Sequence, residues 1–302
     1  MAVYWNSHPT TLALLPAAAI GCVVNWTIFY SFQNVSSLKH SFGFLSANQA
    51  LADAFHGSMF LFYFCPMVIF EFDLMKHYSY HAGFLILFFY ELSVFTHFII
   101  SINRFFAVFS PFRYKKLFSD SNTKIVIMGI WVFTLSSSIY LYQYLCKVYF
   151  DEASQFLTFT NSELCGNIAW YADFVKNSSL VIIIVLIDLF TVIRVRQVSR
   201  RVITSISEAQ NERISKKEMR FLKQTVFQGA VFLLELLAYF LFPKYFENQW
   251  IVFFGTSFAW VSVHAADGIV VMICNPDVRK FVFSRGQLLH IDSTTQFSQK
   301  SH

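Results

Sequence analysis

Seven stretches of this chain are each long and apolar enough to cross a lipid bilayer. A hydrocarbon core about 30 Å thick takes roughly 20 residues of helix, and the segments 10–32, 42–68, 80–108, 124–146, 175–195, 221–243 and 250–274 meet or approach that length. Lipid offers nothing to satisfy backbone N–H and C=O groups, so apolar segments of this length cross it as helices. The expected fold class is an all-α membrane protein, a seven-transmembrane helix bundle. Composition agrees: 56% of the 302 residues are apolar, 14% are charged and 38 are phenylalanine, far from the usage of a soluble domain.

Lys and Arg in short loops resist translocation and set orientation. With the N-terminus outside, 19 of the 23 basic residues fall at cytoplasmic ends or loops, leaving Lys76, Lys147, Lys176 and Lys244 outside. The largest basic cluster, from Arg194 to Lys223, marks the loop between spans 5 and 6 as a cytoplasmic docking surface. The net charge of +5 lies in short stretches flanking apolar runs, not on a soluble basic face, so no nucleic-acid partner is expected. The opening MAVYWNSHP has no Lys or Arg to start a signal peptide, and the first apolar run is expected to remain as span 1. Residues 1–284 are expected to form the seven-span membrane domain and 285–302 a disordered polar tail. Of the sequons at Asn25, Asn34 and Asn177, none sits where a glycan would be expected.

Ionisable residues inside a bilayer are costly and become functional candidates when they face the bundle interior. They are Asp53, His56, Glu91, His97, Asp188, Glu235, His264 and Asp267. Steps of three and four place Tyr90, Ser93, His97, Ser101 and Arg104 on one face of span 3. The same stepping links Gln228, Phe232, Glu235 and Tyr239 on span 6, and Ser257, Trp260, His264 and Asp267 on span 7. Such groups often do no more than satisfy one another across helices. Two acids near mid-membrane, Asp53 and Asp267, need more: a proton, a cation or a network of donors.

SINRFFAVFSPFRYKKLF, at the end of span 3, resembles the Asp-Arg-Tyr region of rhodopsin-like G-protein-coupled receptors, with Asn103-Arg104-Phe105 as the triplet and Pro111 in the following loop. Asn25, Ala52-Asp53, Ser93 and Trp131 resemble that family's landmarks in spans 1 to 4. DGIVVMICNPDVRKF resembles its span-7 motif followed by a short amphipathic helix, here 276–284. Within that superfamily, FYELSVFTHFIISINRFFAVFSPFRY, FTNSELCGNIAWYADFVKN, IDLFTVIRVR and WVSVHAADGIV are similar to the nematode serpentine receptors of class x. The departures are specific: span 5 lacks a proline, Glu235-Leu236 stands in place of the span-6 toggle, and Gly268 and Val271 replace the span-7 Pro and Tyr.

The resemblance implies a chemosensory receptor, not an enzyme, in the plasma membrane of a sensory cilium. Its partners would be a small-molecule cue, membrane lipid, a heterotrimeric G protein and arrestin. It assigns G-protein coupling to Asn103, Arg104, Phe105 and Pro111; Glu218, at the start of span 6, could pair with Arg104 in the resting state, with Lys217 and Arg220 as its competing partners. A sodium ion held by Asp53, Ser93 and Asp267 would act as an allosteric ligand; with His264 close by, the two carboxylates could equally share a proton. Asn25, Glu91, His97, Glu235 and His264 complete the internal polar network. Ile86, Tyr90, Tyr239, Phe240, Ser257 and Trp260 would line the ligand pocket. Ile86 stands where amine receptors place an aspartate, so an amine held in that manner is not expected, and the cue is expected to be small and mainly apolar.

Ser79 occupies the position of the family's span-3 cysteine, so Cys165 must bridge elsewhere or stay free. Cys146 is the expected partner and Cys65 the competitor. Two other classes compete with the receptor reading. A seven-helix zinc hydrolase would use His56, His97, His264, Asp53 and Asp267 as metal ligands; a transporter would use the same interior as a pathway. A retinal protein is excluded because no lysine lies between Lys244 and Lys280.

Overall fold

The computed structural model describes residues 8–152, 156–202 and 208–284, with side chains described throughout except at 8, 156, 198–202 and 208–225. Seven helices in these ranges have the length and apolarity of membrane spans: Pro9–Asn34, Ser41–Ile69, Ser79–Phe109, Asp120–Leu145, Glu163–Gln197, Val226–Tyr245 and Gln249–Cys274, numbered spans 1 to 7. Side chains set several starts by accepting a bond from an orphan backbone N–H. His40 accepts from Gly43, Ser119 from Asn122, Ser162 from Cys165, and Asn248 from Trp250 and Ile251.

Two boundaries differ from expectation. Span 5, expected at 175, begins at Glu163, because the Ser162 cap starts a helix that continues through a π-helical stretch, Ile168–Val175. The polar residues Asn167 and Asp173 look like loop in sequence, yet Asp173 is buried, as is Asn177 in the expected first turn. The sixth helix, expected at 221, runs from Glu208 to Tyr245 and carries Pro243 in its last turn, where few backbone bonds remain to be lost.

Span 1 packs against spans 2 and 7, span 6 against 5 and 7, and span 3 runs centrally against 2, 4 and 5. The polarity is inverted relative to a soluble protein. Ile125, Met128, Val132, Phe133, Ile182, Ile183, Leu186 and Phe190 are exposed, while Asn25, Asp53, His97, Asp188 and Asp267 are buried, as bilayer solvation requires. Spans 1 and 7 approach so closely that a Cβ on Gly268 would sit 2.6 Å from Asn25 Oδ1; glycine is there for contact, in the position where the family motif carries proline.

Between spans 4 and 5, β1 (Val148–Asp151) pairs antiparallel with β2 (Phe156–Phe159), Val148 opposite Phe159. The hairpin lies over the first turns of span 3, with Val148, Phe150 and Leu157 buried. Ser79 Oγ accepts the Phe150 N–H at 3.0 Å, and Cys146 is disulfide-bonded to Cys165. Hydrogen bond and bridge together fix the hairpin over this end of the bundle. At the other end, Pro111–Leu117 forms a short helix after span 3, and 276–284 is helical after span 7, capped by Asn275 Oδ1 through the N–H groups of Asp277 and Val278. The tail, 285–302, lies outside the described residues.

Candidate functional site

The three polar stripes do face one interior. Tyr90, Ser93, His97, Ser101 and Arg104 of span 3 are all buried, as are Gln228, Phe232 and Glu235 of span 6 and Ser257, Trp260, His264 and Asp267 of span 7. They form three connected stations from the hairpin end to the Arg104 end.

Beneath the hairpin lies a narrow crevice lined by Leu87, Tyr90, Asp173, Glu235, Leu236, Tyr239, Phe240 and Trp260. Its space, about 10 Å³, suits roughly one water, so the site is closed around its own side chains. Four of the expected pocket residues, Tyr90, Tyr239, Phe240 and Trp260, line it. Ile86 and Ser257 do not: Ile86 is sealed in the apolar core and Ser257 is buried within a π-helical turn of span 7, Phe254–Phe258.

The crevice has an acidic neighbour that sequence patterning assigned elsewhere or missed. Glu91 accepts from Lys176 Nζ at 2.5 Å, from Asn177 Nδ2 at 3.1 Å and from Tyr142 Oη at 3.4 Å. Asn177 also donates to Asp173 at 2.9 Å. Glu91 thus belongs to the hairpin-end cluster, not to a central network. Asp173 was overlooked because it precedes the expected start of span 5, and Lys176 and Asn177 because they stand in its first turn; their i, i+3 and i+4 spacing was the signal available.

Trp260 joins the crevice to the middle of the bundle. Its ring makes edge contacts with Tyr90 and Tyr239 on one side and with His56 on the other. Below it, His264 Nδ1 lies 2.7 Å from Asp53 Oδ1, and the His56 and His264 rings are 3.9 Å apart. Asp267 accepts from Gln49 Nε2 at 3.2 Å. Each acid therefore has a protein partner, on a different helix. Among the described residues, Ser93 Oγ is buried without a hydrogen-bond partner and no group of three or more His, Cys, Asp or Glu is arranged to hold a metal ion. Asn25 turns to span 7, donating to the carbonyls of Gly21 and His264 at 2.9 Å each. His97 packs edge-on against Phe232.

At the far end, the Arg104 guanidinium lies over the Phe42 ring at 4.6 Å. One turn earlier, Ser101 donates to Asp188 at 2.7 Å. Asn103 donates to Ser41 Oγ at 2.6 Å, and that hydroxyl meets Tyr114 Oη at 3.3 Å, so the asparagine ties span 3 to the start of span 2 and to the Pro111–Leu117 helix. Phe105 stacks on Phe109. The Glu218 side chain lies outside the described residues. Span 4 is held by Trp131, which donates to Asn48 at 2.8 Å, and Asn48 in turn donates to Thr96 at 2.8 Å.

Comparison with known proteins follows this geometry. The sequence pattern of the serpentine type 7TM GPCR chemoreceptor family Srx matches residues 15–275. Serpentine receptor class X 45 of Caenorhabditis elegans is 30% identical over 277 residues, 86% of this chain and 76% of that protein. Serpentine receptor class X-43 of the same organism is 27% identical over 279 residues, covering 91% and 83%. The crystal structure of squid rhodopsin superimposes with a TM-score of 0.75 at 14% identity, covering 94% of this chain and 86% of that one, a likeness of fold. The family is one of receptors and not of enzymes, which removes the hydrolase alternative. With seven spans, an interior of aligned polar stripes and a family match across most of its length, this chain belongs to the Srx family of serpentine chemoreceptors, multi-pass membrane proteins of the G-protein-coupled class.

Proposed function

We propose that the protein binds a small, mainly apolar chemical cue beneath the hairpin and activates a heterotrimeric G protein at the Arg104 end. The observation that carries this reading is the unbroken run of buried contacts from Tyr90 through Trp260 and His56 to His264 and Asp53, on helices that converge toward Arg104. The N-terminus and hairpin are on the exterior, as the loop charges favour; the Pro111–Leu117 helix and the basic segment between spans 5 and 6 are cytoplasmic.

Binding works by shifting a population. A cue that prefers the active arrangement about 100-fold biases the equilibrium by about 2.7 kcal/mol. Entry into a crevice closed by Tyr239, Phe240 and Trp260 requires spans 6 and 7 to part, and outward movement of span 6 uncovers the groove beside Arg104. There the guanidinium exchanges its resting contacts for backbone carbonyls of the G protein, a role for which its five donors suit it. Arrestin takes the same face. At mid-bundle the 2.7 Å contact of His264 with Asp53 supports a shared proton over a sodium ion held by Asp53, Ser93 and Asp267.

The test is expression with a promiscuous Gα subunit, screened against volatile and water-soluble compounds. A concentration-dependent response that Trp260→Ala weakens at matched surface level supports the reading. A response indifferent to both Trp260 and Arg104 overturns it.

A further inference from the structure

Glu235 borders two spaces at once. On its inner side is the crevice with Tyr90 and Asp173. On its outer side is a groove between spans 6 and 7, of about 640 Å³, floored by small side chains including Ala238, Gly255, Ala259 and Val263. That groove opens on the face of the bundle where Leu234, Trp250 and Phe254 are exposed, the face a bilayer covers. Its volume falls in the range of small-molecule sites.

The donors around the crevice do not match its acids. Glu91, Asp173 and Glu235 are three buried acids, and Lys176 is spent on Glu91, where Tyr142 and Asn177 also donate. Among the described residues, Asp173 has the single side-chain donor Asn177. Glu235 Oε2 and Tyr90 Oη are buried and have no hydrogen-bond partner among the described residues. Glu235 is only 6% exposed and Tyr90 2%, and both line the crevice. An acid left without a donor at membrane depth is costly, and a group that brings both a positive charge and several N–H donors suits these oxygens better than a hydroxyl, which brings one donor and no charge.

We propose that the cue is a cationic amphiphile, an alkyl chain ending in a primary ammonium. The ammonium is held by Glu235, with Asp173 as second carboxylate and Tyr90 Oη as a hydroxyl acceptor. The chain lies along the groove between spans 6 and 7, and the ligand enters from the bilayer side. This rests on the receptor reading above and deepens it: the anchor comes from spans 5 and 6, not from the span-3 position of Ile86. The tail accounts for the apolar groove and the head for the unpaired acid, which a lipid acyl chain alone leaves unanswered.

The test uses the purified full-length receptor in lipid nanodiscs without G protein, and reads thermal midpoint against concentration of butylamine, octylamine and 1-octanol. Octylamine is expected to raise the midpoint, butylamine to do so at concentrations at least tenfold higher, and 1-octanol not to match either. Glu235→Gln is expected to weaken the octylamine effect at least tenfold, and Ala259→Phe, which fills the groove, to affect octylamine more than butylamine. Equal shifts from octylamine and 1-octanol on the unaltered receptor, or none from the amines, overturn the proposal whatever the variants do; equal shifts would mark the groove as an ordinary lipid-chain site. Because binding is read without G protein, amine binding with no signalling would count against the receptor mechanism and not against this site.

Discussion

His264 on span 7 presents Nδ1 to Oδ1 of Asp53 on span 2 at 2.7 Å, with both side chains almost wholly sealed from solvent. The contact closes the bundle at mid-depth and leaves Asp267 to Gln49. Interhelical polar contacts in membranes couple by about 0.6 kcal/mol on average and up to about 1.7, and this pair should lie at the upper end because one partner is a carboxylate. A double-mutant cycle of Asp53→Asn and His264→Phe, read by thermal unfolding in detergent, should give a coupling of about 1–2 kcal/mol. The single variant Asp53→Asn should also remove the part of any sodium or pH dependence of agonist affinity that arises at mid-bundle. Full additivity of the two substitutions would show that the contact carries no energy.

Arg104 is buried over Phe42 at the end of span 3. Arg104→Ala should reduce maximal G-protein activation at least tenfold at unchanged surface level. Arg104→Lys should recover only part of it, since a lysine lacks the planar fork. Surface labelling alongside a nucleotide-exchange assay separates lost coupling from lost folding; intact exchange in the alanine variant would remove Arg104 from the mechanism.

Gly268 admits the Asn25 side chain, which would lie 2.6 Å from an added Cβ. Gly268→Ala should therefore force spans 1 and 7 apart and destabilise the receptor by about 1–3 kcal/mol, as overpacking does. Asn25→Ala should relieve part of that cost, so the double variant should be more stable than the sum of the singles. Thermal midpoints of the four proteins decide it.

Cys146 and Cys165 are bonded across a sequence separation of 19. Closing a loop of that size stabilises by about 3 kcal/mol in the chain-entropy model, so replacing both by serine should lower stability by up to that amount and loosen the hairpin. Non-reducing peptide mapping should recover the two cysteines in one linked peptide, with Cys65 free. A Cys65–Cys165 peptide would contradict the arrangement described.

The sequence alone determined the seven spans and the inward faces of spans 3, 6 and 7, for a physical reason. Membrane crossing depends on local length and apolarity, and helical periodicity fixes which residues share a face before any partner is known. Local pattern could not say which polar groups would meet. Asp53 and Asp267 looked like a pair, but the packing of spans 2 and 7 gave Asp53 to His264 and Asp267 to Gln49. Glu91 looked central until Lys176 and Asn177 reached it from span 5. Asp173 was invisible as a site residue because its polar surroundings read as loop, and only burial against spans 3 and 6 makes that stretch part of the membrane helix. Contacts between distant helices depend on rotation and register, which tertiary packing sets; that is why the crevice around Glu235 could be found only in the folded chain.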